Sequence, residues 1–260
     1  MSWILFILYA TLLCWLLTKL GFFRQSGIKQ NWLIFIFLLH VTVGCVGGYW
    51  ASFSPGADTW RYHHDALVEY QLLQTNPKAY FSNLFATGYA HRYDGFLQTQ
   101  NSFWNDLKTN LMVKGVSILD ILSGGNYYTN VLLFNFLLFF GWVALFKLFF
   151  IYYPQQKNAC IIGVFLLPSV LYFGSVLHKE GLMLAGLGGI WYGWHTWLQQ
   201  PIKHWWRLVL VLLLLLLVLL LRNYMLLAIV PALVSYAMVV RFKWRAWPVV
   251  GISFFVLIFV

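Results

Sequence analysis

Apolar residues fall in eight long runs, at roughly 2–20, 32–50, 127–151, 159–177, 181–199, 207–221, 224–240 and 246–260. Each approaches the ~20 residues that a helix needs to cross ~30 Å of hydrocarbon. The pattern predicts an all-α, polytopic membrane protein with about eight transmembrane helices. The sixth and eighth runs are short, and Trp205, Trp206 and a snorkelling Arg207 extend the sixth. One connection breaks the rhythm. Residues 51–126 are too polar to span and read as a long loop inserted between helices two and three of a single 1–260 domain. Within it, a helix is predicted from Asp58, as N-cap after a Ser-Pro-Gly turn, to Gln74. Phe103 to Leu122 alternates apolar and charged positions at helical spacing and is expected to lie along the outer membrane surface. The fifth run carries Gly181, Ala185, Gly189 and Gly193 four apart, a small-residue stripe for close helix packing. The chain ends in mid-run at Val260, which reads either as a fragment or as a last helix stopping at the interface.

Composition agrees with lipid as the solvent. Hydrophobic residues make up 61% of the 260 and charged residues only 9%, against ~25% charged in soluble domains. The net charge of +10 does not point to nucleic acid, because the basic residues stand singly between apolar runs. Charge instead orients the chain. With Arg24 and Lys29 in the cytoplasm, alternation puts ten basic residues and no acid on that side. The other side holds seven basic residues and all seven acids, Asp58, Asp65, Glu69, Asp94, Asp106, Asp120 and Glu180. A wrong helix count would scramble this partition. It places the N-terminus outside, and the first run, lacking a basic leader and a cleavage site, reads as a retained helix.

Three outward clusters carry candidate chemistry. Pro55 to Asp65 opens the long loop, and there Asp58, Arg61 and Asp65 share one helix face. His178-Lys179-Glu180 is pinned between two apolar runs, where ionisable groups are costly and point to function. Arg222-Asn223-Tyr224 follows the Leu-rich sixth run; ~14 residues of helix, ~21 Å, separate Arg207 from Arg222, so Arg222 reaches the outer edge, where a lipid phosphate suits its guanidinium. Against these stand simpler readings: a capped helix with a surface ion pair, a Lys179–Glu180 pair, a snorkelling terminal arginine. His91, Arg92 and Asp94 form a weaker, solvated cluster. His40 and His195 read as hydrogen-bonded core histidines, and Cys14, Cys45 and Cys160 as packing residues. His63 and His64 lack zinc-site spacing, and no Walker A loop, dinucleotide fingerprint or nucleophile elbow occurs. No metal and no cofactor is expected. Taken together, cations suited to phosphate and carboxylates able to activate a hydroxyl fit a polyprenyl-phosphate or -diphosphate sugar with its tail in the membrane lipid.

The stretch Gly56-Ala57-Asp58-Thr59-Trp60-Arg61-Tyr62 resembles the Gly-x-Asp-Thr-x-x-Tyr pattern of EpsG-type exopolysaccharide proteins. These are similar to Wzy-type polysaccharide polymerases and to GT-C membrane glycosyltransferases. Pro168 to Tyr172 and His178 to Leu182 resemble a second segment of such proteins, which often carry Arg-Gln where this chain has Lys179-Glu180. The resemblance covers most of the chain in layout and about twenty residues in motif. It implies a bacterial inner-membrane enzyme of surface polysaccharide synthesis, working with other assembly proteins. It implies Asp58 as the group that orients or activates the acceptor hydroxyl and Glu180 as the alternative base. Arg61, His63 and His178 would bind sugar or phosphate, and Lys179 and Arg222 the lipid phosphate. Two other readings remain: a flippase for lipid-linked glycans using the same cations and no base, and a noncatalytic assembly subunit.

Overall fold

A computed structural model describes residues 2–89, 102–200, 205–243, 245, 247–249 and 251. His91, Arg92, Asp94, Lys203 and most of the eighth apolar run lie outside the described residues. Among the described residues every regular element is a helix. In chain order these are α1 (Ser2–Lys19), α2 (Gly21–Arg24), α3 (Gln30–Ala51), α4 (Asp58–Thr75), α5 (Pro77–Ser82), α6 (Phe103–Ser123), α7 (Tyr127–Tyr152), α8 (Lys157–Ile161), α9 (Pro168–Phe173), α10 (Lys179–Gln199), α11 (Trp205–Leu221) and α12 (Leu226–Phe242), with short 3₁₀ and π turns between some of them. Among the described residues three helices, Gln30–Ala51, Tyr127–Tyr152 and Asn223–Arg241, are long and apolar enough to cross a membrane, and Trp3–Lys19 and Trp205–Leu221 are shorter apolar helices.

Helix α7 is the axis, with α1, α3, α6 and α10 packed on it. Its start is fixed locally. Gly124 and Gly125 take φ of +62° and +77°, a left-handed turn that side-chain-bearing residues resist. Asn126 then caps the helix, its side-chain oxygen accepting from the Thr129 N–H at 3.0 Å. Close packing against α10 needs Gly141 and Gly188, because a Cβ on either would run into the facing backbone. The small-residue stripe of α10 is shared between two neighbours. Gly181 lies against Leu138 of α7, whereas Gly189 and Gly193 lie against Leu214 and Val211 of α11.

The fourth apolar run is not one helix. α8 ends at Ile161, a π turn covers Ile162–Leu166, α9 spans six residues from Pro168, and the chain from Gly174 to Leu177 is irregular. Pro168 is the cause: it offers no N–H and pushes Leu167 to an extended ψ of 127°. Freed backbone groups inside an apolar bundle need partners. His40 Nε2 lies 3.1 Å from the Phe165 carbonyl, and its Nδ1 meets the Ser175 hydroxyl at 3.1 Å. Asn135 donates to the Ser175 carbonyl at 2.7 Å. His40 is thus a structural plug. His195 is likewise hydrogen-bonded, to Tyr152 and Tyr236.

Lys157 donates to the Gly27 carbonyl and Lys147 to that of Phe22, which gathers basic connections at one end of the bundle. At the other end Trp3 stacks on Tyr128, and α4 and α6 pack together over the start of α7. Lys114 of α6 pairs with Glu69 of α4 at 2.5 Å. Asp120 is fully buried, its carboxylate accepting from Asn130 of α7 at 2.6 Å, and burial raises its pKa. The apolar side chains of Ile118, Ile121 and Leu122 face outward, half exposed. Polar inward and apolar outward is the reverse of a water-facing helix and suits contact with lipid.

Candidate functional site

Helix α4 begins at Asp58, but Asp58 is its first residue and not its cap. Ala57 holds the cap position and supplies no side-chain bond, after a turn through Gly56 at φ +77°. The Asp58 carboxylate is engaged elsewhere. Oδ1 lies 3.1 Å from Arg61 Nη2, one turn along α4. Oδ2 lies 3.5 Å from Nε2 of His178, which comes from the far side of the bundle. Behind them Tyr62 is fully buried, with the Arg61 guanidinium 5.5 Å from its ring centre, and burial raises the Tyr62 pKa.

His178 is the N-cap of α10. Its Nδ1 accepts from the Glu180 N–H at 3.4 Å. A ring nitrogen that accepts is unprotonated, so in the neutral ring the proton sits on Nε2, aimed at Asp58. Burial pushes the His178 pKa down, against the pull of Glu180 and Asp58. The cap therefore presents a neutral N–H donor to a carboxylate.

The third sequence cluster joins the second. Arg222, at the end of α11, pairs through Nη2 with Oε1 of Glu180. Burial alone would lower the Arg222 pKa, but the hydrogen bond and charge of Glu180 outweigh it and raise it. Lys179 is half-buried, and desolvation and then the charge of Arg222 push its pKa down despite Asp58 and Glu180. Lys108 of α6 faces the same group: burial, then the charges of Lys179 and Arg222, lower it, while Glu180 acts the other way. Four cations, Arg61, Lys108, Lys179 and Arg222, surround two carboxylates, Asp58 and Glu180, a surplus of two positive charges. A lateral cleft of about 510 Å³ between α9 and α10 meets this group at His178 and Glu180. Its remaining walls are Ser169, Val170, Phe173, Met183 and Leu184.

The fold thus brings Asp58, Arg61, His178, Lys179, Glu180 and Arg222 together from three separate stretches of sequence. His63 is not among them. Two residues past Arg61, it faces the body of the bundle, with Trp60 at 5.6 Å and Tyr127 at 5.4 Å between ring centres, and burial holds its pKa at about 4. An aromatic wall, and not a phosphate, is its neighbour, so its expected binding role has no geometric basis. Asp65 is exposed, and the partner of Arg61 is Asp58. The sequence reading gave no role to two residues, Tyr62, named only as the last position of the Gly-x-Asp-Thr-x-x-Tyr pattern, and Lys108. Lys108 looks locally like Lys114, which pairs with Glu69; only tertiary packing separates their roles. No group of three or more metal-ligating side chains occurs among the described residues.

No family model matches the chain, and no curated protein or solved structure matches it.

Proposed function

We propose that the chain is a membrane glycosyltransferase of the polysaccharide-polymerase type, acting on polyprenyl-phosphate- or -diphosphate-linked sugars at the outer face of a bacterial inner membrane. The proposal includes about eight membrane passages in all, counting the interrupted 159–177 run as one, with the N-terminus outside. The observation that carries it is the convergence of four cations on two carboxylates beside a lateral apolar cleft. A lipid-linked phosphate needs that combination: an apolar path for the tail and a cationic surplus for the head.

In this reading Lys108, Lys179 and Arg222 hold the phosphate. Asp58 takes the proton from the acceptor hydroxyl as its oxygen attacks the anomeric carbon. The carbon–oxygen bond to phosphate breaks, and the departing negative charge falls to the cations. Arg61 and the Nε2–H of His178 hold the two oxygens of Asp58 in place. Glu180, tied to Arg222, positions that guanidinium and is thereby a poorer base than Asp58.

The flippase reading gains one observation, the interrupted 159–177 segment, since transporters build sites at broken helices. Here His40 and Asn135 fill the freed carbonyls, and the break holds no open charged site. A transfer assay separates the two. Purified protein in lipid is given a panel of polyprenyl-linked sugars, with Asp58→Ala and Arg222→Ala alongside. Product that vanishes in both variants supports transfer. Intact donors that nonetheless cross the bilayer overturn it.

A further inference from the structure

Along α7, α10 and α11 runs a second groove of about 590 Å³, whose polar residues lie at the end away from the Asp58 group. This volume lies within the ~300–1,000 Å³ range of ligand pockets. Along α10 its lining runs from Leu182 to Thr196, some four helical turns or about 21 Å. The walls are apolar for most of that length, with the glycine faces of α10 leaving the room. Polarity is concentrated at one end, in Gln25, Lys147, Thr196 and Arg207.

Neither cation there is paired with an acid among the described residues. Lys147 donates to the Phe22 carbonyl at 3.4 Å and lies over the rings of Phe22 and Tyr192, at 4.6 and 5.2 Å. Arg207 lies over the Trp206 ring at 5.3 Å. Among the described residues no carboxylate pairs with either, and the basic connections at this end bring none nearer. Two partly buried cations at the polar end of an apolar groove pair with no carboxylate among the described residues, and an amphiphile with an anionic head supplies both parts. On the proposed membrane topology, on which this step rests, ten basic residues and no acid belong to this side, so the surrounding field favours an anionic head over a cationic or zwitterionic one. From this we infer that the α7–α10–α11 groove is a binding site for an anionic phospholipid of the cytoplasmic leaflet, its phosphate held by Lys147 and Arg207 and one acyl chain lying along the glycine face of α10.

The site is separate from the Asp58 group and does not depend on its proposed chemistry. The test uses the full chain purified in detergent and titrated with phosphatidylglycerol or phosphatidylcholine, bound lipid being counted by native mass spectrometry. Wild-type protein is expected to retain phosphatidylglycerol preferentially, and to lose that preference as salt rises. Lys147→Gln combined with Arg207→Gln is expected to weaken retention roughly tenfold or more. Arg24→Gln, the same kind of charge change outside the groove, is expected to leave it intact. Leu210→Trp narrows the groove without touching a charge and is expected to displace the lipid, which keeps the test decisive if the double variant fails to fold. Equal retention of phosphatidylcholine overturns the proposal, as does undiminished phosphatidylglycerol in the charge and groove variants. A polyprenyl phosphate that displaces phosphatidylglycerol with no dependence on Lys147 and Arg207 overturns it too, and assigns the groove to a substrate tail.

Discussion

The two ends of the bundle treat their cations differently. Around Asp58, Arg61 and Arg222 each meet a carboxylate, and His178 offers a neutral N–H to the same acid. At the opposite end Lys147 and Arg207 meet, among the described residues, a backbone carbonyl and aromatic faces and no carboxylate. A mixed cluster with a small surplus is built to hold geometry: each charge fixes a neighbour, and the surplus is what the proposed phosphate would meet. A cation-only end lacks that internal order and is completed by something anionic from outside. The first arrangement suits turnover and the second suits residence.

The largest expected effect breaks the outer region alone. Asp58→Asn is expected to lower sugar transfer by about 10²–10⁴-fold, the usual contribution of a positioned base. The Asp58–Arg61 pair is 37% and 52% exposed, and exposed pairs contribute little to stability, so the melting temperature of the variant in lipid should stay close to wild type. Loss of fold together with activity would show that Asp58 serves the fold, through its contacts with Arg61 and His178.

Next in size is the Glu180–Arg222 pair, which is more enclosed at 20% and 25% side-chain exposure. Glu180→Leu leaves a half-buried guanidinium without its acid and is expected to cost about 1–3 kcal/mol in denaturant unfolding. Adding Arg222→Leu removes the orphan and should return most of that stability, while transfer stays absent because the phosphate has lost a cation. A double variant that regains activity would make the pair a strut and leave Lys108 and Lys179 as the phosphate site.

How much of this could be read from the chain alone divides along the same line. Continuous apolar runs are a local property, so the helices α1, α3, α7, α10, α11 and α12 follow from them. Convergence is not local. Nothing in the neighbourhood of His178 says that its ring will reach Asp58, 120 positions earlier, or that Lys108 and not Lys114 will face Arg222. His63 failed for a related reason: adjacency to Arg61 in sequence is a rotation to a different helix face in space. The fourth run was misread because its hydropathy is uninterrupted, whereas Pro168 and Gly174 decide its backbone. A companion prediction follows there. Asn135→Leu deprives the Ser175 carbonyl of its donor and is expected to cost about 1–3 kcal/mol, read as a lower unfolding midpoint with transfer per folded molecule retained.

The last effect separates the Asp58 cluster from the packing behind it. His63 is held at about 4 in the fold by burial, with the charge of His64 adding to it, against an ordinary value of 6.5. A lowered pKa means that the folded state keeps the ring neutral while the unfolded chain takes up a proton first. Stability is therefore fully present above pH 6.5, falls as pH drops through the window from 6.5 to about 4, and changes no further from this group below it. Helix α4 should loosen from Tyr127 in that window, read as faster amide exchange in α4 as acid is added. His63→Phe keeps an aromatic ring against Trp60 and Tyr127 and removes the proton site, so its exchange should be flat across the same range. His178, also lowered by burial, remains in that variant, so any acid loss of transfer that persists belongs to the cluster itself. If His63→Phe flattens transfer and exchange together, the acid sensitivity lies in the packing, and the neutral N–H of His178 does not limit turnover at low pH.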